Sequence, residues 1–172
     1  MTRRAAPRTA PARKPLTGML GQRVQFRKTI AESDVYLFAG ITGDLHPNHV
    51  DEVYMRGTPY AGRIAHGALL VGFMSTTSTL MTQRVQAAVP QVVVSYGYDR
   101  IRFIKPVRIG DTITVDYTVV RVDETEGRMF ADVTIKNQRN DLVCAGTHIL
   151  KLIGAGASAP RRPPTRGSSA AR

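Results

Sequence analysis

A single cysteine, Cys144, stands in a chain of 172 residues, so no internal disulfide framework and no cysteine-rich metal site can form. Set within a strand-like segment, Cys144 is read as a small buried apolar residue. Long apolar runs are also lacking. The longest, Ala68 to Met74, falls far short of the roughly 18 residues that a membrane span needs, and no signal-peptide core is present. There is no glycine-rich phosphate loop and no dinucleotide fingerprint, which leaves nicotinamide or flavin use without support. No internal repeat is visible. These absences point to a soluble, intracellular, cytoplasmic protein of one domain, the length being too short for two.

Acidic residues are missing from both ends. Residues 1–15 carry Arg3, Arg4, Arg8, Arg13 and Lys14, and residues 154–172 carry Arg161, Arg162, Arg166 and Arg172, with no Asp or Glu in either stretch. Of the formal charge of +11, these nine cations leave +2 for the domain at 16–153. Both tails are built of Ala, Pro, Arg, Ser, Thr and Gly, too poor in apolar surface to offset their ordering entropy, so both are expected to be disordered. Pro7, Pro11 and Pro15 break the amphipathic helix that a transit peptide would need. Nucleic-acid binding, which the net charge suggests, would be a side property of the tails, because the domain shows no interleaving of aromatic and basic residues.

Within the domain, Val24 to Ile30 is strand-like. Ser33 offers an N-cap for a short helix with Val35, Leu37 and Phe38, ending at Gly40. Asp44 to Asn48 is rich in turn formers and is expected as a loop, followed by a short helix from Val50 to Met55 that stops at Gly57. From Gly67 to about Met81 no proline occurs, and Leu69, Leu70, Phe73, Met74, Thr77 and Leu80 recur at helical spacing. After Pro90 the period changes to two, with β-branched runs at Val92–Ile104, Thr112–Val122, Met129–Lys136 and Leu142–Leu150. The separators at Lys105–Asp111, Asp123–Gly127 and Asn137–Asp141 suit turns, so antiparallel hairpins are expected. One long apolar helix beside such a sheet is an α+β layer architecture, the sheet wrapping the helix.

The chemistry gathers in Gly43-Asp44-Leu45-His46-Pro47-Asn48-His49 and in Ile64-Ala65-His66-Gly67. A carboxylate and an imidazole flank a proline turn, and a His-Gly pair opens the long helix. This pattern resembles the MaoC-like hydratases, the (R)-specific enoyl-CoA hydratases, whose motif reads Gly-Asp-x-Asn-Pro-x-His with a downstream His-Gly. The resemblance is strong over residues 30–81 and looser beyond.

What it implies is a single hotdog fold and a hydro-lyase that adds water to a trans-2-enoyl thioester to give an (R)-3-hydroxyacyl thioester, or runs the reverse dehydration. Asp44 and His49 would activate water, and the Gly67 amide would hold the thioester oxygen. Ser75 falls on a family serine that would bond to the catalytic loop. His66 is read as packing beside the site. His46 replaces the family Asn, so loop fixation and substrate choice rest on a different side chain here. No cofactor is implied beyond the coenzyme A of the substrate, and homodimerisation is expected. For the acyl thioester, Arg100, Arg102, Lys105 and Arg108 are candidates to grip phosphates, and Tyr54, Met55, Tyr60 and Phe73 to line an acyl pocket. Each of these also suits a solvated strand face or plain core. His46 and His49 have no helical ligand spacing, and no second cluster completes a shell, so no metal is expected. A hotdog thioesterase and a non-catalytic acyl-thioester binding subunit are the alternatives.

Overall fold

A computed structural model describes residues 16–86 and 91–154; the tails expected to be disordered fall outside them but for Gly154. After a 3-10 turn at Leu16–Met19, the order is β1 (Arg23–Thr29), α1 (Glu32–Thr42), α2 (Pro47–Val50), α3 (Glu52–Arg56), α4 (Gly67–Gln86), β2 (Val92–Phe103), β3 (Thr112–Asp123), β4 (Arg128–Lys136) and β5 (Leu142–Ile153). The five strands form one antiparallel sheet in the order β1-β3-β4-β5-β2, with α4 packed on its inner face, which is the expected hotdog arrangement.

Helix α4 runs one turn past Met81. Its buried residues Leu70, Met74, Thr77, Ser78, Met81 and Val85 recur at three and four residues, so a single stripe faces the sheet. Against it stand the inward residues of β3 (Ile113, Val115, Tyr117, Val119) and β4 (Met129, Ala131, Val133, Ile135), every second residue of each strand. Met74 and Met81 are fully buried, which stabilises the fold by about 1.5–3 kcal/mol each. Phe73, a candidate for either an acyl pocket or plain core, packs against the core and stacks on Phe26 of β1. Cys144 is buried in this core, and burial pushes its thiol up to about 11.

The structure departs from sequence expectation in three places. Ser33 lies inside α1, which begins at Glu32; the Asp34 carboxylate turns back to accept the Ala31 N–H at 2.8 Å and so replaces a side-chain cap from Ser33. The helix also passes Gly40 and stops at Gly43, whose φ of 78° is the left-handed conformation that glycine adopts freely. Pro47 is not in a loop but at the first position of the helical turn α2, where its missing N–H costs nothing. Finally, β2 and β3 make no hairpin. Their connection is tied elsewhere, by Ala65 N–H to the Val107 carbonyl at 2.8 Å and by Gly110 N–H to the Ile30 carbonyl at 2.7 Å, and β2 crosses to pair with β5.

Candidate active site

Asp44, His46 and His49 are held between α1 and α3. Arg63 ties these two helices together, reaching Glu32 at 2.7 Å and Glu52 at 3.2 Å, with its guanidinium over the Tyr36 ring. Within the loop, the Asp44 Oδ1 accepts the His46 N–H at 3.4 Å, and His46 Nδ1 accepts the Asn48 N–H at 3.2 Å. His46 is thus the N-cap of α2, the task an Asn does well. His46→Ala is expected to lower stability by about 1 kcal/mol and His46→Asn to leave it unchanged, as read by thermal unfolding.

His49 rides on α2 and is half-buried. Its Nδ1 lies 2.8 Å from the Ile64 carbonyl, an acceptor only, so Nδ1 carries the proton and Nε2 keeps its lone pair. Burial lowers the His49 pKa, a shift the Ile64 hydrogen bond opposes and His66 reinforces. The ring is therefore neutral at neutral pH, as a base requires. The Asp44 carboxylate is exposed, and one ligand-capable atom from each of Asp44, His49 and His66 lies within 4.8 Å of the others.

His66, 1% exposed, is more involved than its sequence neighbours suggest. Its ring stacks on His49 at 3.7 Å, touches Phe38 at 4.9 Å, and donates from Nε2 to the Asp44 carbonyl at 2.9 Å. One side chain therefore holds both members of the pair. His66 Nδ1 is buried with no hydrogen-bond partner.

Gly67 is the first residue of α4, and its N–H has no protein acceptor among the described residues. This free donor sits at the positive end of a long helix. A Cβ here would lie 2.7 Å from the Phe103 ring, so glycine is what lets Phe103 and a ligand come this close. Gly67→Ala is expected to cost about 1–3 kcal/mol of stability in urea unfolding and to push the Phe103 ring aside.

Beside this donor lies a cavity of about 250 Å³ lined by His49, Tyr60, Ile64, Gly67, Leu70, Phe103, Lys105 and Val107, among others. Two of the proposed substrate-binding residues, Tyr60 and Lys105, are in its wall. Lys105 is also paired with Asp141 at 2.6 Å. Met55 is fully buried core and Tyr54 is exposed, and neither lines the cavity. Arg100 and Arg102 border a separate groove on β2, β4 and β5, while Arg108 is spent on the Tyr60 carbonyl. Ser75 makes no hydrogen bond to the Asp44–His49 loop; it is exposed, and its carbonyl accepts from Ser78 and Thr79. A larger depression of about 480 Å³ between β1 and α4 contains none of these groups.

Sequence reasoning missed the Ile64 carbonyl, the Phe103 ring and the reach of His66. None has a local signal, since main-chain acceptors and ring contacts between distant segments leave no pattern in a sequence.

Known proteins resemble this chain in sequence and in fold. The chain is 42% identical over 99 residues to an (R)-specific enoyl-CoA hydratase of Rhodospirillum rubrum, covering 58% of this chain and 64% of that one. It is 35% identical over 96 residues to a 3-hydroxybutyryl-CoA dehydratase of Methylorubrum extorquens, 56% of this chain and 57% of the relative. The chain thus spans under two thirds of both relatives. A solved structure, the (R)-hydratase of A. caviae involved in PHA biosynthesis, superposes with a TM-score of 0.67 at 27% identity, over 78% of this chain and 96% of that one. The MaoC like domain matches residues 16–141, and with that match the chain belongs to the MaoC-like domain family.

Proposed function

We propose that this protein is an (R)-specific enoyl-CoA hydratase that also runs the reverse dehydration of a 3-hydroxyacyl thioester. The observation that carries the reading is the fixed tautomer of His49, which leaves a bare Nε2 on a ring close to Asp44 and in the wall of the cavity that Gly67, with its free N–H, also lines. In hydration, His49 takes one proton from a water as its oxygen bonds to C3 of the enoyl group. The proton that C2 gains is delivered from within the Asp44–His49 pair, so both new bonds form on one face and the pair ends as it began. Negative charge building on the thioester oxygen meets the Gly67 N–H, a donor of the kind typically worth about 2.7–4 kcal/mol in the transition state. No cofactor is needed, and coenzyme A enters as part of the substrate.

The test is loss of the enoyl absorbance on mixing the protein with crotonyl-CoA, with free thiol followed in parallel. Hydration without thiol release supports the reading. Thiol release would make the protein a thioesterase, and silence across several chain lengths with acyl-CoA still bound would make it a binding subunit.

We also propose a cytoplasmic homodimer. No helix among the described residues is long and apolar enough to cross a membrane. Strand β2 is an edge of the sheet and exposes Val92, Val94, Tyr96 and Phe103, an apolar edge that calls for a partner strand. Sedimentation is expected to give twice the mass of one chain.

A further inference from the structure

We propose that His66 is the positioning residue of this site, one side chain that holds the Asp44 loop, the His49 base and the Gly67 N–H in a common register. This deepens the hydratase reading and rests on it.

Three observations carry the role. First, His66 stands behind the site and not in it. Its chain neighbours Ala65 and Gly67 line the cavity, whereas His66 is 1% exposed and takes no part in the cavity wall. It therefore has no surface to offer a substrate and acts only through other groups. Second, it touches a different segment for each group it holds. Nε2 donates to the Asp44 carbonyl at 2.9 Å, in the loop after α1, and the ring lies against that of His49 on α2 at 3.7 Å with 27° between the planes. Phe38 of α1 packs on the same ring at 4.9 Å. The Gly67 N–H belongs to the planar peptide unit that joins it to His66, so anchoring His66 also restrains the direction of that donor. Third, packing alone does not ask for a histidine here. His66 Nδ1 is buried with no hydrogen-bond partner, which destabilises the native state, and a phenylalanine would fill the space without that defect. What the imidazole adds over a plain ring is the hydrogen bond to Asp44.

The stacked ring also covers one face of His49 and keeps water from it, part of the burial that lowers the His49 pKa. The other titratable groups around His49 are Asp44 and His46 beside it and Tyr60 and Lys105 in the cavity wall, and all four stay in place in the variants below.

The experiment separates the two contacts in the full chain. His66→Gln keeps an amide donor for the Asp44 carbonyl and loses the ring, whereas His66→Phe keeps a ring and loses the donor. Circular dichroism checks the fold of each. In both, kcat for crotonyl-CoA hydration is expected to fall at least about tenfold with KM changed less than about threefold, since a displacement of about 1 Å can cost about 10²-fold. The His49 titration is followed by NMR and assigned with His49→Ala. Its midpoint is expected to rise toward about 6.5 in His66→Gln, where water reaches the uncovered face, and to stay lowered in His66→Phe. A role in packing alone would move neither kcat nor this midpoint in a folded variant. Wild-type kcat in His66→Phe overturns the tie to Asp44, and an unmoved midpoint in His66→Gln overturns the cover on His49. A loss carried by KM overturns positioning in favour of substrate contact. If the wild type never hydrates, the hydratase reading falls, while the midpoint shift in His66→Gln still establishes the hold of His66 on His49.

Discussion

Replacing His49 by Ala is expected to reduce crotonyl-CoA hydration by about 10²- to 10⁴-fold, the range that a positioned general base contributes. Its Nε2 keeps a lone pair, because Nδ1 is committed to the Ile64 carbonyl. Asp44→Asn keeps the shape of the loop and removes the charge, and a loss of similar size is expected. As the two act on one water, the double variant should be scarcely worse than either single one. The pH profile adds an independent reading. Burial lowers the His49 pKa, so the base stays neutral to below the ordinary imidazole range of about 6.5, and kcat/KM should fall only as pH drops through that lowered value. Wild-type rates within tenfold in His49→Ala would sink the assignment.

A second large effect lies away from the site, in the core beneath α4. His148 on β5 is fully buried, with Nδ1 2.9 Å from the Tyr117 hydroxyl, Nε2 2.8 Å from the Ser95 hydroxyl, and the Tyr98 ring stacked on it at 4.3 Å. As a neutral ring it satisfies both hydroxyls. Burial disfavours the charged form and pushes its pKa down to about 4. Between about 6.5 and that value the unfolded chain takes up a proton that the native state refuses, so stability falls with falling pH across this window and levels off below it. The full drop is on the order of 3 kcal/mol. Chemical unfolding of the wild type at pH 7, 5.5 and 4 should show it. His148→Gln, which can still bond to both hydroxyls, should start lower at pH 7 and lose this part of the slope. Carboxylates held low by their partners, such as Asp116 beside Arg23, lose their contribution at lower pH and do so equally in both proteins. An unchanged slope in the variant would refute the account.

The sequence by itself determined whatever depends on neighbours a few residues apart. The 3.6-residue period placed α4, the two-residue period placed β2 to β5, and turn chemistry placed most of the connections. The pattern of Asp44, His49 and Gly67 marked the candidate site, because a turn-forming loop and a helix start each leave a local signal in the sequence. Ser33 and Pro47 misled because each is ambiguous locally: a serine can cap a helix or sit inside it, and a proline can make a turn or open a helix.

Tertiary structure decided the rest. Whether β2 pairs with β3 or crosses to β5 depends on what holds residues 105–111, and those bonds run to Ile64–Ala65 and to the end of β1. His66 becomes a contact of both Asp44 and His49 only once the segment before α4 packs against the loop after α1, and His148 acquires its depressed pKa only from the layers that bury it. Ring stacking, tautomer and burial are set by groups far apart along the chain, and packing alone brings them together.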